Sequence, residues 1–134
     1  MKYALTLLCI ACGLACATAS GGTRAAAPTP LRADIAEWSI VPSTGSVPAG
    51  RVRIVVRNLG AVAHEVVLVP TARFADRLPL RGSRAVTRNA AASVVVEPGA
   101  TRSFVVALHR GSYLLVDNLP WHYWHGTSAA FSVR

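Results

Sequence analysis

Beyond residue 16 the chain contains no cysteine, since Cys9, Cys12 and Cys16 are its full complement. A domain folded from the remaining residues therefore has no disulfide and no thiolate–metal bond. Lysine is nearly missing as well: Lys2 is the only one, so every later positive side chain is an arginine. Acids are scarce, 6 against 14 Lys plus Arg, which gives a formal net charge of +8. An excess of that sign favours anionic partners such as lipid headgroups, cell-wall polymers or an acidic protein patch. No segment approaches the ~20 apolar residues of a membrane span. There is no Ser-His-Asp spacing and no phosphate-binding Gly loop, which removes the commonest hydrolase and nucleotide-binding signatures.

What is present begins with an export signal. Lys2 forms a short charged region, residues 3–15 are apolar, and Ala17-Thr18-Ala19 before Ser20 fits the small-x-small cleavage rule. A competing reading makes Cys16 a lipid-modified N-terminus, which would tether the protein to a membrane, although Gly13 replaces the large aliphatic residue of a standard lipobox. Plain export is favoured, to the periplasm or the exterior, and nucleic acid is excluded as a partner there. The expected organisation is a signal over residues 1–19, a flexible Gly/Ala/Thr/Pro-rich tether over 20–31, and one domain over 32–134.

Within that domain the pattern is that of short strands. Residues 35–41 read as a first strand, with Trp38 in its core face. Val52, Ile54 and Val56 alternate with Arg51, Arg53 and Arg57, the period-two signature of a half-buried strand with a solvated arginine face. Residues 64–69 form another strand, stopped by Pro70. Residues 93–97 and 102–108 read as a hairpin pair around Pro98-Gly99, and 112–116 and 129–134 complete the set. Seven to eight strands separated by turn signals predict an all-β Greek-key sandwich. The stretch 71–91 departs from this pattern, with Arg73, Arg77, Arg81, Arg84 and Arg88 against a single acid, Asp76. A short helix through Leu78 followed by an irregular segment is expected. This stretch is a solvated connection or, on a sharper reading, a basic docking surface.

The densest signal is the run Asp117-Asn118-Leu119-Pro120-Trp121-His122-Tyr123-Trp124-His125-Gly126-Thr127, preceded far upstream by Asn58-Leu59-Gly60 and His64-Glu65-Val66. Taken alone, Asp117 and Asn118 suit a turn, His64 a structural histidine, and His122 and His125 exposed loop positions. Together they resemble the cupredoxins, the blue-copper electron carriers, whose closing loop runs Cys-Asn-Leu-Pro-Gly-His-Tyr-x-x-Gly-Met. The resemblance places His64 and His122 at the two histidine ligands, Asp117 where the cysteine stands and Thr127 where the methionine stands. Trp121 takes the place of the usual glycine.

The resemblance implies a cupredoxin-like sandwich with metal at His64, Asp117 and His122, and with His125 and Thr127 as additional candidates. Two imidazoles and a carboxylate suit a divalent ion, copper(II) first and zinc behind it. The expected function is copper storage, delivery or sensing at a non-blue site. A metal-free binding module and an electron carrier are the alternatives, and the missing thiolate weighs against the second. No enzyme is expected, because Glu65, the nearest base in sequence, follows His64 on a strand and faces the other way. Trp121 and Trp124 would form a docking patch or cover the site, with Tyr123 packed inward. His109 is read as plain surface.

Overall fold

The computed structural model describes residues 26–72 and 78–134. The proposed signal, the Cys16 anchor and most of the tether lie outside the described residues. Eleven strands, some of only two residues, make up the described chain, which contains no helix. A four-stranded sheet has the order β2 (Ser39–Pro42), β1 (Thr29–Ala36), β4 (Gly50–Asn58), β9 (Thr101–Leu108). A five-stranded sheet has the order β3 (Ser46–Val47), β11 (Ser128–Val133), β10 (Gly111–Asp117), β5 (His64–Pro70), β8 (Ala92–Val96). The pairs β1–β4 and β3–β11 are parallel and the rest antiparallel, so the chain crosses repeatedly between the sheets. A third pair, β6 (Leu80–Arg81) and β7 (Arg84–Ala85), is a small hairpin on its own.

The core between the sheets follows from the alternation. Val52, Ile54 and Val56 of β4 are fully buried, while Arg51, Arg53 and Arg57 stay exposed. Leu31, Ala33 and Ile35 of β1 meet them from the neighbouring strand, and Val66, Leu68, Leu115, Tyr113 and Phe131 answer from the other sheet. Burying each large aliphatic side chain contributes about 1.5–3 kcal/mol, so this layer dominates the stability. Tyr113 stacks on Phe131 with ring centres 5.7 Å apart, and its hydroxyl donates to the His109 carbonyl at 3.0 Å.

β5 and β10 do not alternate, because both of their faces are covered. Val67, Val69, Leu114 and Val116 point away from the main core and are buried with Ala85 and Tyr123, against Leu78 and Leu80. The arginine-rich excursion therefore brings a few apolar residues that form a second, smaller core on the outer face of the five-stranded sheet. A continuous apolar run is what a strand buried on both faces requires.

Several sequence expectations need correction. The strand expected over 35–41 is a hairpin, broken at Glu37-Trp38, and β1 starts at Thr29, within the stretch read as tether. Trp38 is 54% exposed instead of core, since it occupies that turn with φ 67°. β8 and β9 are not a hairpin pair: β8 pairs with β5 and β9 with β4, on different sheets. Pro98-Gly99, with Gly99 at φ 71°, turns the corner between them. Local alternation is the same whether a turn closes a hairpin or switches sheets, so sequence could not separate the two. In the excursion, Leu80–Arg81 and Arg84–Ala85 are strands; the short helix expected there falls largely on residues 73–77, outside the described residues.

Candidate metal centre

His64 opens β5 and Asp117 closes β10, and these strands are neighbours with Asp117 opposite Val66. Side chains two apart on a strand share a face, so His64, Val66 and Asp117 all point between the sheets. Glu65 points outward, as expected, and its carboxylate accepts from Arg84 Nη1 at 2.7 Å. After Asp117 the chain runs through turns from Leu119 to Gly126 and returns as β11. The Thr127 N–H donates to the His122 carbonyl at 3.1 Å and the Asp117 N–H to the Thr127 carbonyl at 3.0 Å, which closes the loop on itself. That closure brings His122 over the end of the sandwich.

The three side chains converge. His64, Asp117 and His122 offer ligand atoms that all lie within 4.8 Å of one another. Asp117 Oδ2 lies 2.7 Å from His64 Nδ1 and 2.5 Å from His122 Nδ1, and the two rings are 5.5 Å apart. The other carboxylate oxygen, Oδ1, accepts from the backbone N–H groups of Glu65 at 3.3 Å and Leu119 at 3.2 Å. The second of these is an Asx turn, so Asp117 shapes the turn and faces both histidines at once. A fully buried carboxylate requires such partners. With both Nδ1 atoms donating to Asp117, His64 Nε2 is left as a buried nitrogen with no partner, and the buried Thr127 Oγ1 also has none.

This donor set suits a borderline divalent ion: two imidazole nitrogens, one carboxylate oxygen and an unpartnered hydroxyl nearby in the loop. Ligand atoms around a tetrahedral ion at ~2.1 Å stand roughly 3.4 Å apart. The carboxylate therefore has to draw back by less than about 1 Å, and the residues fit. His125 lies outside this set. The turn carries it outward, with its N–H donating to the Trp121 carbonyl at 3.0 Å, and its ring packs edge-on against Trp38 at 4.9 Å. His109 is exposed and does not join the group.

Trp38 is a neighbour that sequence reading misplaced. Its ring centre is 4.9 Å from His122 as well as from His125, so the β1–β2 turn covers the outer histidine. Trp121 and Trp124 are 56% and 65% exposed on the same loop, while Tyr123 is buried and its hydroxyl accepts from the Leu78 N–H at 2.8 Å. Asn58, part of the upstream motif in the sequence, has a bracing role that the sequence did not reveal. It is fully buried and donates through Nδ2 to the Val62 and Val96 carbonyls at 2.7 and 2.9 Å, while its Oδ1 accepts from the Gly60 N–H. It thereby fixes the β4–β5 loop that leads into His64. Glu37 braces the same loop by accepting from the N–H groups of Ala61 and Val62 at 2.6 and 3.2 Å. Its own backbone N–H and that of Ala61 hold its carboxyl below the ordinary carboxylate range.

No protein-family model matches the chain, and no curated protein matches it in sequence. Solved structures do match. A dithionite-reduced auracyanin from Roseiflexus castenholzii aligns with a TM-score of 0.61 at 21% identity, covering 81% of this chain and 99% of that one. Auracyanin A from Chloroflexus aurantiacus, described as a "blue" copper protein, aligns with a TM-score of 0.54 at 22% identity over 78% of this chain and 99% of that one. Rusticyanin from Thiobacillus ferrooxidans gives 0.57 at 15% identity, over 81% and 79%. All three are similar in fold, at identities too low to carry function with them. This chain has the cupredoxin fold.

Proposed function

We propose that this chain is an exported cupredoxin-fold protein that holds copper(II) at a non-blue site, in copper storage, delivery or sensing. The observation that carries this reading is the convergence of His64, Asp117 and His122, the first two fully buried and His122 partly so, at the end of the sandwich where the similar loop of the cupredoxins holds its metal. Copper in such a site supplies Lewis acidity and a divalent charge. His64 and His122 would hold it through Nδ1, the atoms already aimed at the common point, and Asp117 would neutralise part of its charge. The domain has no cysteine, and the chain's single methionine is Met1. Both sulfur ligands of a blue centre are therefore missing, which argues against rapid electron transfer: hard ligands favour copper(II), and its reduction would demand a different geometry.

One observation favours a second reading, a metal-free binding module. Asp117 already joins both imidazoles by hydrogen bonds, so the site is closed without an ion. Copper titration separates the two. On the first reading, metal-free protein takes up one copper(II) with weak d–d absorption only and nitrogen hyperfine coupling in its electron paramagnetic resonance spectrum. His64→Ala then weakens uptake by more than about tenfold, the loss of one of three ligands, while His109→Ala leaves it unchanged. Equal effects of the two substitutions would mean adventitious binding and favour the module. An intense charge-transfer band would contradict a site without sulfur.

A further inference from the structure

The arginine-rich excursion has an electrostatic arrangement that the metal centre does not account for. The two-residue turn Gly82-Ser83 sets Arg81 directly opposite Arg84 in the β6–β7 pair. Like charges facing each other across a strand pair oppose its formation. Arg84 is offset by Glu65, but among the described residues Arg81 and Arg88 have no ion pair. All three arginines line one cleft of about 350 Å³, together with Val86, Thr87 and Asn118. Among the described residues its lining offers guanidinium groups and a hydroxyl, and no carboxylate. Guanidinium forks match the oxygen geometry of a phosphate, and such charge-assisted bonds are about twice as strong as neutral ones.

The cleft is also wired to the loop beside it. Arg84 Nη1 donates to the Asn118 carbonyl at 2.5 Å, the Ala85 N–H donates to Asn118 Oδ1 at 2.8 Å, and the Trp121 N–H donates to the Ser83 carbonyl at 2.7 Å. Asn118 follows Asp117 directly and Trp121 precedes His122. The hairpin thus holds the loop that presents both residues.

We propose that the cleft of Arg81, Arg84, Thr87, Arg88 and Asn118 binds a phosphate-type oxyanion, free or as a lipid headgroup, and that Arg84 links its occupation to the Asp117–His122 loop. A bound anion relieves the Arg81–Arg84 repulsion and competes with Glu65 and the Asn118 carbonyl for the Arg84 guanidinium. The site stands whether or not metal binds, so it is tested on metal-free protein.

Inorganic phosphate is titrated into the metal-free protein and followed by amide and imidazole NMR and by calorimetry. Saturable shifts at residues 81–88 and Asn118 are expected, with a smaller shift at the His122 ring. Arg81→Gln with Arg88→Gln should weaken phosphate by about tenfold or more, as expected for two lost charge-assisted contacts. Arg51→Gln with Arg53→Gln removes the same charge from the exposed face of the other sheet, and it should change affinity far less. Equal losses in the two double variants, or no saturable binding, would overturn the site. Shifts that never reach His122 would overturn the link through Arg84. Vesicles of phosphatidic acid in phosphatidylcholine distinguish the sources. Binding that phosphate displaces and the Arg81/Arg88 variant loses assigns the headgroup; phosphate binding without vesicle binding assigns the free anion.

Discussion

Asp117 accepts four hydrogen bonds on one buried carboxylate, and the behaviour of the site turns on that residue. Because Oδ2 touches Nδ1 of both histidines, a cysteine at this position would carry its sulfur to the same gap. Asp117→Cys with copper(II) is expected to develop an intense sulfur-to-copper charge-transfer band where the parent shows almost none, since a bound metal deprotonates the thiol. A folded, copper-loaded variant without colour would count against the shared site. Trp121 poses a different residue-scale question. It stands at φ 69° where the similar loop of the cupredoxins has glycine, in a left-handed conformation that costs a bulky residue roughly 1–2 kcal/mol. Trp121→Gly relieves that cost and loses about as much through the looser unfolded chain. Its urea-unfolding free energy should stay within ~1 kcal/mol of the parent, a small change for deleting a tryptophan. A loss above ~3 kcal/mol would show that the exposed ring packs as core.

At the scale of elements, the excursion is as structural as the strands it covers. Leu114 and Leu115 are adjacent on β10, point to opposite faces and are both fully buried. In a sandwich with a solvated outer face, only one of the two would matter. Here Leu114→Ala and Leu115→Ala should each cost about 2–5 kcal/mol by chemical denaturation, the range for a leucine cavity. A Leu114→Ala cost below ~1 kcal/mol would mean that the second core contributes little. The hairpin β6–β7 shows where sequence reading stopped. Gly82 at φ 60° marks its turn, but arginine spacings of three and four imitate a helical face. Strands of two residues are too short for any period to register.

Across the whole molecule, the end that carries His64, Asp117 and His122 is assembled from parts far apart in sequence, and Glu37 is one of the braces. Its carboxyl, held below the ordinary range by N–H donors, ties the β1–β2 turn to the β4–β5 loop. A carboxyl with a lowered folded-state pKa adds stability above its unfolded value near 4.5, and that stability is lost as pH falls through the folded-state value. Glu37→Gln should therefore flatten the acid limb of the stability curve below pH ~4.5 and, near neutrality, lower stability slightly. An unchanged acid limb would remove Glu37 from that role. The Asp34–Arg57 pair is a fork at 3.0 and 2.9 Å, but it lies on the open sheet face, where solvent screening leaves an exposed ion pair little net effect on stability.

Sequence alone determined the all-β class, the buried face of β4 and the outward direction of Glu65, and it singled out His64, Asp117 and His122. Each of these rests on local periodicity or on a loop whose residues lie within eleven positions of each other, with one upstream histidine in a recognisable setting. Tertiary structure alone decided that β8 and β9 belong to different sheets, that Trp38 covers His122 and that His125 turns outward. It also decided that Arg84 clamps Asn118 and that Asn58 anchors the approach to His64. The physical reason is common to all five. A period of two states which face a residue takes but not which strand lies beside it, and pairing is chosen by non-local burial that no short window of sequence contains.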